Sequence, residues 1–255
     1  MIIRVEQLLV FEQSALRQFE DEMVDHGKRF APVISGVIGD AQLRVAVKRA
    51  IAKAGQHGFI LRGPIRLCVE LMFLCGSGFD DDPQYPGIAR LFKSEETEMR
   101  KAQRIHFAQL EYLELVAGPG NINVHKALRA LSVYARSGPE LTESSLDAEL
   151  IAEMSRAFPE RSEYIGESSL RALIAEGRAE ASRYGFTSPR AQALIVILMS
   201  AFGHRCTDDP LYPWIARTLT DPKIVDAIAR SARLERKAIT WLDHVLARTD
   251  PVMPE

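Results

Sequence analysis

The sequence predicts an all-α fold built from two tandem, diverged copies of one helical unit. Apolar side chains recur at helical spacing through most segments, and no alternating run of the kind typical of β-strands exceeds a few residues. One stretch of the chain also returns at a constant offset. Because a repeated unit usually buries its apolar face against its neighbour, we expect the copies to pack as a pseudo-symmetric helical array.

The repeat is clearest in one ten-residue segment. Residues 81–90, DDPQYPGIAR, return at 208–217 as DDPLYPWIAR, so the offset from 81 to 208 is 127 residues. About twenty positions between residues 39 and 92 are identical to their partners at this offset. The first unit is therefore placed at residues 1–120 and the second at residues 121–255, with the turn-rich Gly-Pro-Gly-Asn segment at the boundary.

The apolar spacing also predicts individual helices. Residues 8–23 have apolar side chains on one helical face, whereas 64–75 and 189–202 are apolar nearly all round. The latter two are expected to be the central buried helix of each unit. Gly76 and Gly203 follow them, at the position where glycine commonly ends a helix.

The repeated Asp-Asp-Pro-x-Tyr-Pro motif is interpreted as a structural corner. An aspartate before proline is held out of α geometry and favours a turn, and the second proline suits the first turn of the next helix. We expect the aspartates to cap helix N-termini and the tyrosine to pack at the corner. The motif residues are Asp81, Asp82, Pro83, Tyr85 and Pro86 in the first copy, and Asp208, Asp209, Pro210, Tyr212, Pro213 and Trp214 in the second.

The chemical alternatives are weaker. Residues 80–82 could offer carboxylates to Mg²⁺ or Ca²⁺, and His204 with Cys206 could offer two zinc ligands, but the first copy has Ser77 and Phe79 at the latter positions. The six histidines are scattered, and most are expected on solvated helix faces. Phosphate-binding loops, nucleophile elbows and His-Glu-x-x-His motifs are lacking in the sequence. We therefore expect no catalytic residue, no cofactor and no metal site.

Composition and charge limit the expected partners and the expected cellular location. The net charge of −2 argues against nucleic-acid binding by bulk charge. Three cysteines, an odd number, lie among apolar residues, which fits a reducing compartment. The first residues do not resemble a signal peptide, and no run reaches the roughly 18 apolar residues of a membrane span. The expected location is the cytoplasm, without membrane contact.

One segment is strongly acidic. Between residues 140 and 167 there are eight acidic residues and two basic ones. A solvated helix face with acids near helix N-termini would explain this pattern, but the segment could also attract a basic partner. The candidate partner-binding residues are Glu140, Glu143, Asp147, Glu149, Glu153, Glu160 and Glu163.

Each copy contains Leu-Arg, then Ala-x-x-x-Gly-Phe, an apolar helix with Met and a terminal Gly, and the Asp-Asp-Pro motif. In this order the chain resembles a family of small helical immunity and accessory proteins encoded beside effectors of bacterial type VI secretion systems. The stretch 185–215 is the most similar, whereas the first copy has Gly87 where the family has tryptophan. The resemblance implies a genomic setting, and it supplies no catalytic residues.

These observations favour protein binding over catalysis, and an enzyme with a novel site is the least favoured reading. The expected function is that of an immunity protein that binds and neutralises a cognate effector toxin, and a nuclease toxin would suit the acidic segment. The alternative is an adaptor or chaperone that loads an effector onto the secretion apparatus. Two units in one chain can do internally what a symmetric dimer does between subunits, so homodimerisation of the whole chain stays open.

Overall fold

The computed structural model describes residues 5–138 and 140–249. Eleven α-helices follow one another within these ranges, with no β-strand among the described residues. The all-α prediction is therefore confirmed. None of these helices combines the length and the hydropathy needed to cross a membrane.

The first half of the chain contains five helices. They are α1 Val5–Phe30, α2 Pro32–Gln56, α3 Arg62–Cys75, α4 Pro86–Phe92 and α5 Glu98–Tyr112. Helix α5 continues into a π-helical turn at Leu113–Ala117, and a 3-10 turn at Pro119–Asn121 follows. The predicted turn between the units is thus a short 3-10 segment in which Gly120 and Asn121 have positive φ.

The second half of the described chain contains six helices. They are α6 Ile122–Ser137, α7 Leu146–Ala157, α8 Pro159–Arg183, α9 Pro189–Phe202, α10 Pro213–Leu219 and α11 Ala227–Thr249. A 3-10 turn at Cys206–Asp208 precedes α10. Helix α6 packs mainly on α11 and also contacts α7.

The boundaries of three pairs of helices correspond at the offset of 127 residues. Helices α2 and α8 both have 25 residues, α3 and α9 have 14, and α4 and α10 have 7. Helices α2 and α8 are each interrupted by one glycine, Gly39 with φ 76° and ψ 165° and Gly166 with φ 75° and ψ 163°. The sequence offset therefore also relates helix lengths and backbone torsions.

Each half has its own apolar core around one central helix. Eight of the 14 residues are buried in α3 and eight of 14 in α9, so the prediction that these are the central helices is confirmed. Gly76 and Gly203 end these helices with positive φ values of 81° and 94°, as expected. Leu211, from the second Asp-Asp-Pro segment, is buried in the core of the first half. The two halves therefore interlock at this motif.

Candidate functional site at the junction of the two Asp-Asp-Pro segments

Both Asp-Asp-Pro segments form the predicted turn. The amides of Gln84 and Leu211 donate to Oδ1 of the aspartate two residues earlier, Asp82 and Asp209, each at 2.8 Å. The backbone carbonyl oxygens of the same aspartates accept hydrogen bonds from the backbone N–H groups of Tyr85 and Tyr212, at 3.0 and 3.1 Å. Prolines then occupy the first turns of α4 and α10, as expected.

The motif aromatics pack at this corner. The ring centroid of Tyr85 lies 4.9 Å from that of Tyr112, and the centroid of Tyr212 lies 4.3 Å from that of Phe202. Trp214 meets Phe202 edge-on, with centroids 6.2 Å apart. These rings fill the apolar side of the junction, which agrees with the packing role predicted for the tyrosines.

The prediction that the aspartates cap helix N-termini is wrong. No side chain caps α4 or α10. Instead, Oδ2 of Asp82 accepts a hydrogen bond from the backbone N–H of His204 at 2.9 Å, and Oδ2 of Asp209 accepts one from the N–H of Ser77 at 2.6 Å. Each carboxylate therefore satisfies a buried amide just beyond the central helix of the other half, where an unpaired donor would be costly.

Two glycines permit this close approach. A β-carbon built on Gly76 would fall well inside contact distance of the carbonyl oxygen of Phe202, and one on Gly203 would do the same with Cys75. Their positive φ values also favour glycine. Backbone of one half thus lies directly against backbone of the other at the ends of α3 and α9.

His204 lies between the two acids of the first motif. Its Nδ1 is 3.2 Å from Oδ2 of Asp82, and its Nε2 is 3.3 Å from Oδ1 of Asp81. Burial lowers the pKa of His204, but the two nearby carboxylates outweigh burial and raise the pKa to about 9. The expectation of solvated histidines is wrong for His204, and also for His26, which is buried against Glu70.

Asp81 is held in its ionised form. Burial raises its pKa, but His204 and Arg205 outweigh that effect and bring the pKa well below its ordinary value. Arg205 Nη2 lies 2.5 Å from the second carboxylate oxygen of Asp81. The two cations thus balance this carboxylate beside the buried Asp82.

An open cleft of about 860 Å³ lies beside this cluster, lined by residues of both halves. On one side, Arg49 of α2 pairs with the carboxylate of Asp208 at 3.2 Å. At the equivalent place on the other side, Glu176 of α8 has its pKa raised by burial and by the charges of Asp82 and Asp81. The position that carries Arg49, paired with Asp208, in the first half thus carries an acidic residue near Asp82 and Asp81 in the second.

The three consecutive aspartates of the first copy do not converge. Asp80 binds Lys53 and also His57 at 2.8 Å, whereas Asp81 and Asp82 have the partners described above. No group of three His, Cys, Asp or Glu side chains in the described part of the chain is arranged to hold a metal ion. Cys206 lies in the apolar core of the second half, away from solvent.

The pKa values of His204 and of the buried thiols limit the roles that these groups can play near neutral pH. His204 is protonated near neutral pH because its pKa is about 9, so it is a poor general base there. Burial raises the pKa of Cys68, Cys75 and Cys206 above that of an ordinary thiol, which keeps them as unreactive thiols. The arrangement is suited to holding two halves together.

The predicted acidic residues divide into two groups. Glu143 and Asp147 both pair with Arg178, and Glu153 is buried and pairs with Arg156. The other four have no ion pair with a described residue; Glu140, Glu149 and Glu163 are exposed and Glu160 is half-buried.

Arg161 was not predicted as a site residue, because in the sequence it is only a basic residue within the acidic segment. Its Nε donates to the hydroxyl of Tyr112 at 3.1 Å, and its Nη1 donates to Oε1 of Gln84 at 2.9 Å and to the carbonyl of Ser200 at 2.6 Å. It therefore ties α8 to both halves. Its only sequence signal was its isolation among glutamates.

No family model matches this chain, and neither a curated protein nor a solved structure does so. Evidence for the function of the chain therefore comes from the geometry of the junction, from the exposed charges and from the sequence resemblance.

Proposed function

We propose that this chain is an immunity protein that binds and neutralises a cognate type VI secretion effector toxin in the bacterial cytoplasm. The observation that carries the proposal is the reciprocal use of Asp82 and Asp209, whose carboxylates are taken up by backbone amides of the opposite half. The aspartates that recur in both halves are thus used for contacts within the chain. A rigid scaffold of this kind favours recognition by its surface, and the resemblance supplies the partner class.

The acidic surface is the proposed contact. Glu140, Glu149 and Glu163 are exposed and are not neutralised by a described cation. A nuclease toxin has a basic groove for its substrate, and an acidic surface would be attracted to that groove over a long range. The neighbouring paired acids Glu143 and Asp147 would contribute less, because Arg178 already neutralises them.

Co-expression tests the function directly. Cells that produce the toxin domain of the effector encoded beside this chain should grow when the chain is present and die when it is not. Survival would support immunity. Continued death, together with a requirement for the chain in effector secretion, would instead support the adaptor.

Charge reversal tests the surface. The double variant Glu149→Lys/Glu163→Lys should weaken toxin binding roughly tenfold or more and reduce its salt dependence, because rim charges act mainly through long-range attraction. The matched control is Glu95→Lys/Glu114→Lys, two exposed glutamates of the first half with the same change in net charge. Equal loss in both variants would remove the acidic segment from the interface.

We also propose that the chain consists of two diverged copies related by a pseudo-twofold axis that passes between Gly76 and Gly203. Two-fold interfaces are reciprocal: if residue i contacts j, then the equivalent of j contacts the equivalent of i. The contacts of Asp82 with His204 and of Asp209 with Ser77 have this form, since both pairs of equivalents are 127 residues apart. The matched helix lengths support the same proposal.

A further inference from the structure

A second cavity at the junction is lined by residues of both halves and shares none of them with the open cleft. Its volume is about 220 Å³, and most of its lining residues are apolar or aromatic, among them Tyr85, Tyr112, Phe202 and Tyr212. Apart from the tyrosines, its polar lining residues are Gln109, Asn121 and Arg161. Because an apolar cavity of about 150 Å³ is enough to hold benzene, this cavity has room for one ring with small substituents.

The cavity coincides with a difference between the two halves. Cys75 occupies the position that is equivalent to Phe202 at the offset of 127 residues. In the second half, the ring centroid of Phe202 lies 4.3 Å from that of Tyr212 and 4.5 Å from that of Trp241. The first half has no ring at this position, and Cys75 and Tyr85 both border the cavity. A bound aromatic ring would give the first half a ring contact of the kind that the second half makes internally.

Arg161 brings a positive charge to the cavity. A guanidinium group has five N–H donors. Three of them are used, because Nε donates to the hydroxyl of Tyr112 and Nη1 donates to Gln84 and to the carbonyl of Ser200. These acceptors are all neutral; within the described chain, no acceptor binds Nη2 and no carboxylate forms an ion pair with Arg161. Nη2 is therefore available to an anion, and a carboxylate is the group that a guanidinium binds well.

Gln109 brings an unsatisfied acceptor to the same cavity. It lies on α5 three residues before Tyr112, so the two side chains are on the same face of the helix. Gln109 is only 6% exposed, and its Oε1 has no hydrogen-bond partner in the described part of the chain. A buried polar atom without a partner is costly, and a hydroxyl or amine donor on a ligand would satisfy it.

We propose that this cavity binds a small aromatic monocarboxylate. The carboxylate accepts from Nη2 of Arg161, the ring lies beside Tyr85 and Tyr112, and a polar substituent on the ring donates to Oε1 of Gln109. A single negative charge suits the site, because only one guanidinium nitrogen is free to bind it. The proposal is independent of the immunity function, which concerns the exposed acidic surface.

Titrations of the wild-type chain followed by NMR test the site with four probes, which are benzoate, benzamide, 3-hydroxybenzoate and 4-hydroxybenzoate. Benzamide keeps the ring and lacks the charge, so benzoate should bind at least tenfold more tightly. The hydroxybenzoate whose hydroxyl reaches Gln109 should bind about fivefold more tightly than benzoate, because it satisfies the amide oxygen. The shifted resonances should belong to residues that line the cavity.

Gln109→Leu separates recognition from folding. The substitution removes an amide oxygen that has no partner within the described chain, so the variant should be at least as stable as the wild type. It should still bind benzoate and should lose the preference for the hydroxybenzoate. The matched control is Gln103→Leu, the same change at an exposed position of α5 that does not line the cavity, and it should keep that preference.

Failure of all four probes to shift the cavity resonances would overturn the inference. Equal affinities for benzoate and benzamide would overturn it too, because the charge of Arg161 would then have no role. A preference for hydroxybenzoate that persists in Gln109→Leu would show that the ligand lies elsewhere. The immunity proposal is tested by survival in co-expression, so either proposal can fail while the other stands.

Discussion

The two sides of the junction share their backbone contacts and differ in their side-chain contacts. Asp82 and Asp209 each accept from an amide two residues later and from an amide of the opposite half. Their neighbours differ, since Arg49 pairs with Asp208 whereas Glu176 lies near Asp81. A contact to backbone depends only on the fold, so it can be kept while sequences diverge. A side-chain pair requires both positions to change together.

A second difference concerns the residue between proline and tyrosine in each motif. Gln84 is buried and donates to the carbonyl of Met199 at 3.0 Å, while Leu211 is buried in the core of the first half. Gln84 also accepts a hydrogen bond from Arg161, whereas Leu211 has no polar side-chain atom that needs a partner. The junction therefore tolerates both polar and apolar contacts, provided that each buried polar group is satisfied.

The largest expected effect separates the two aspartates. Asp82→Ala should lower the free energy of unfolding by about 4 kcal/mol, because it leaves two buried amides and the His204 cation without their acceptor. Asp209→Ala should cost about 2 kcal/mol, because this carboxylate serves two amides and has no comparably close cation. Urea denaturation measures both. Equal losses would show that the His204 pair adds nothing.

The next effect compares glycines at the junction with a glycine away from it. Gly76→Ala should destabilise the fold by about 3 kcal/mol, because the added methyl meets backbone of the other half and φ is positive. Gly39→Ala, where φ and ψ lie in the same region but no atom lies within 4 Å, should cost only the backbone strain, about 1–2 kcal/mol. Thermal unfolding of the two variants gives the comparison. Similar losses would mean that the close approach at Gly76 is relieved by small shifts.

A pH effect should distinguish the first motif from the second. The folded pKa of His204 is about 9, above its ordinary 6.5, so protonation stabilises the fold. That stabilisation is fully present below pH 6.5 and is lost as the pH rises through 9. The stability difference between wild type and His204→Gln should therefore shrink by up to about 3 kcal/mol over this window. A difference that is constant with pH would mean that His204 is neutral in the fold.

The smallest expected effect tests whether Glu176 and Arg49 occupy equivalent positions on the two sides of the cleft. Glu176→Arg would place a cation near Asp81, as Arg49 lies near Asp208, but it would also set that cation against His204 and Arg205, which attract Glu176 in the wild type. The fold should therefore lose about 0.5 kcal/mol of stability. The uncharged control Glu176→Gln separates loss of the attraction to these cations from the added repulsion. An arginine variant that is more stable than the glutamine variant would mean that the two sides of the cleft are equivalent in geometry.

The sequence was sufficient to predict the central helices and the turn formed by each Asp-Asp-Pro motif. Apolar residues all round α3 and α9, followed by Gly76 and Gly203, predicted buried helices with glycine ends, and the structure has them. Asp-Pro predicted a turn, and the turn is present in both motifs.

The partners of the carboxylates could not be predicted. Asp82 and Asp209 bind backbone amides, and a backbone donor constrains neither Ser77 nor His204 to a residue type. The equivalent positions therefore differ and leave no pattern in the sequence. Likewise, Glu153 looked like a surface charge because composition alone does not reveal that it is buried beside Arg156.

Hydrogen exchange at the amides of Ser77 and His204 tests most directly whether the repeated motif joins the two halves. In the wild type, both amides should exchange only through global unfolding, because each is bonded to a buried carboxylate of the opposite half. Asp82→Asn should selectively speed exchange at His204, and Asp209→Asn should do so at Ser77. Faster exchange at the amide of the same half as the substitution, or at neither amide, would contradict a junction built from reciprocal contacts.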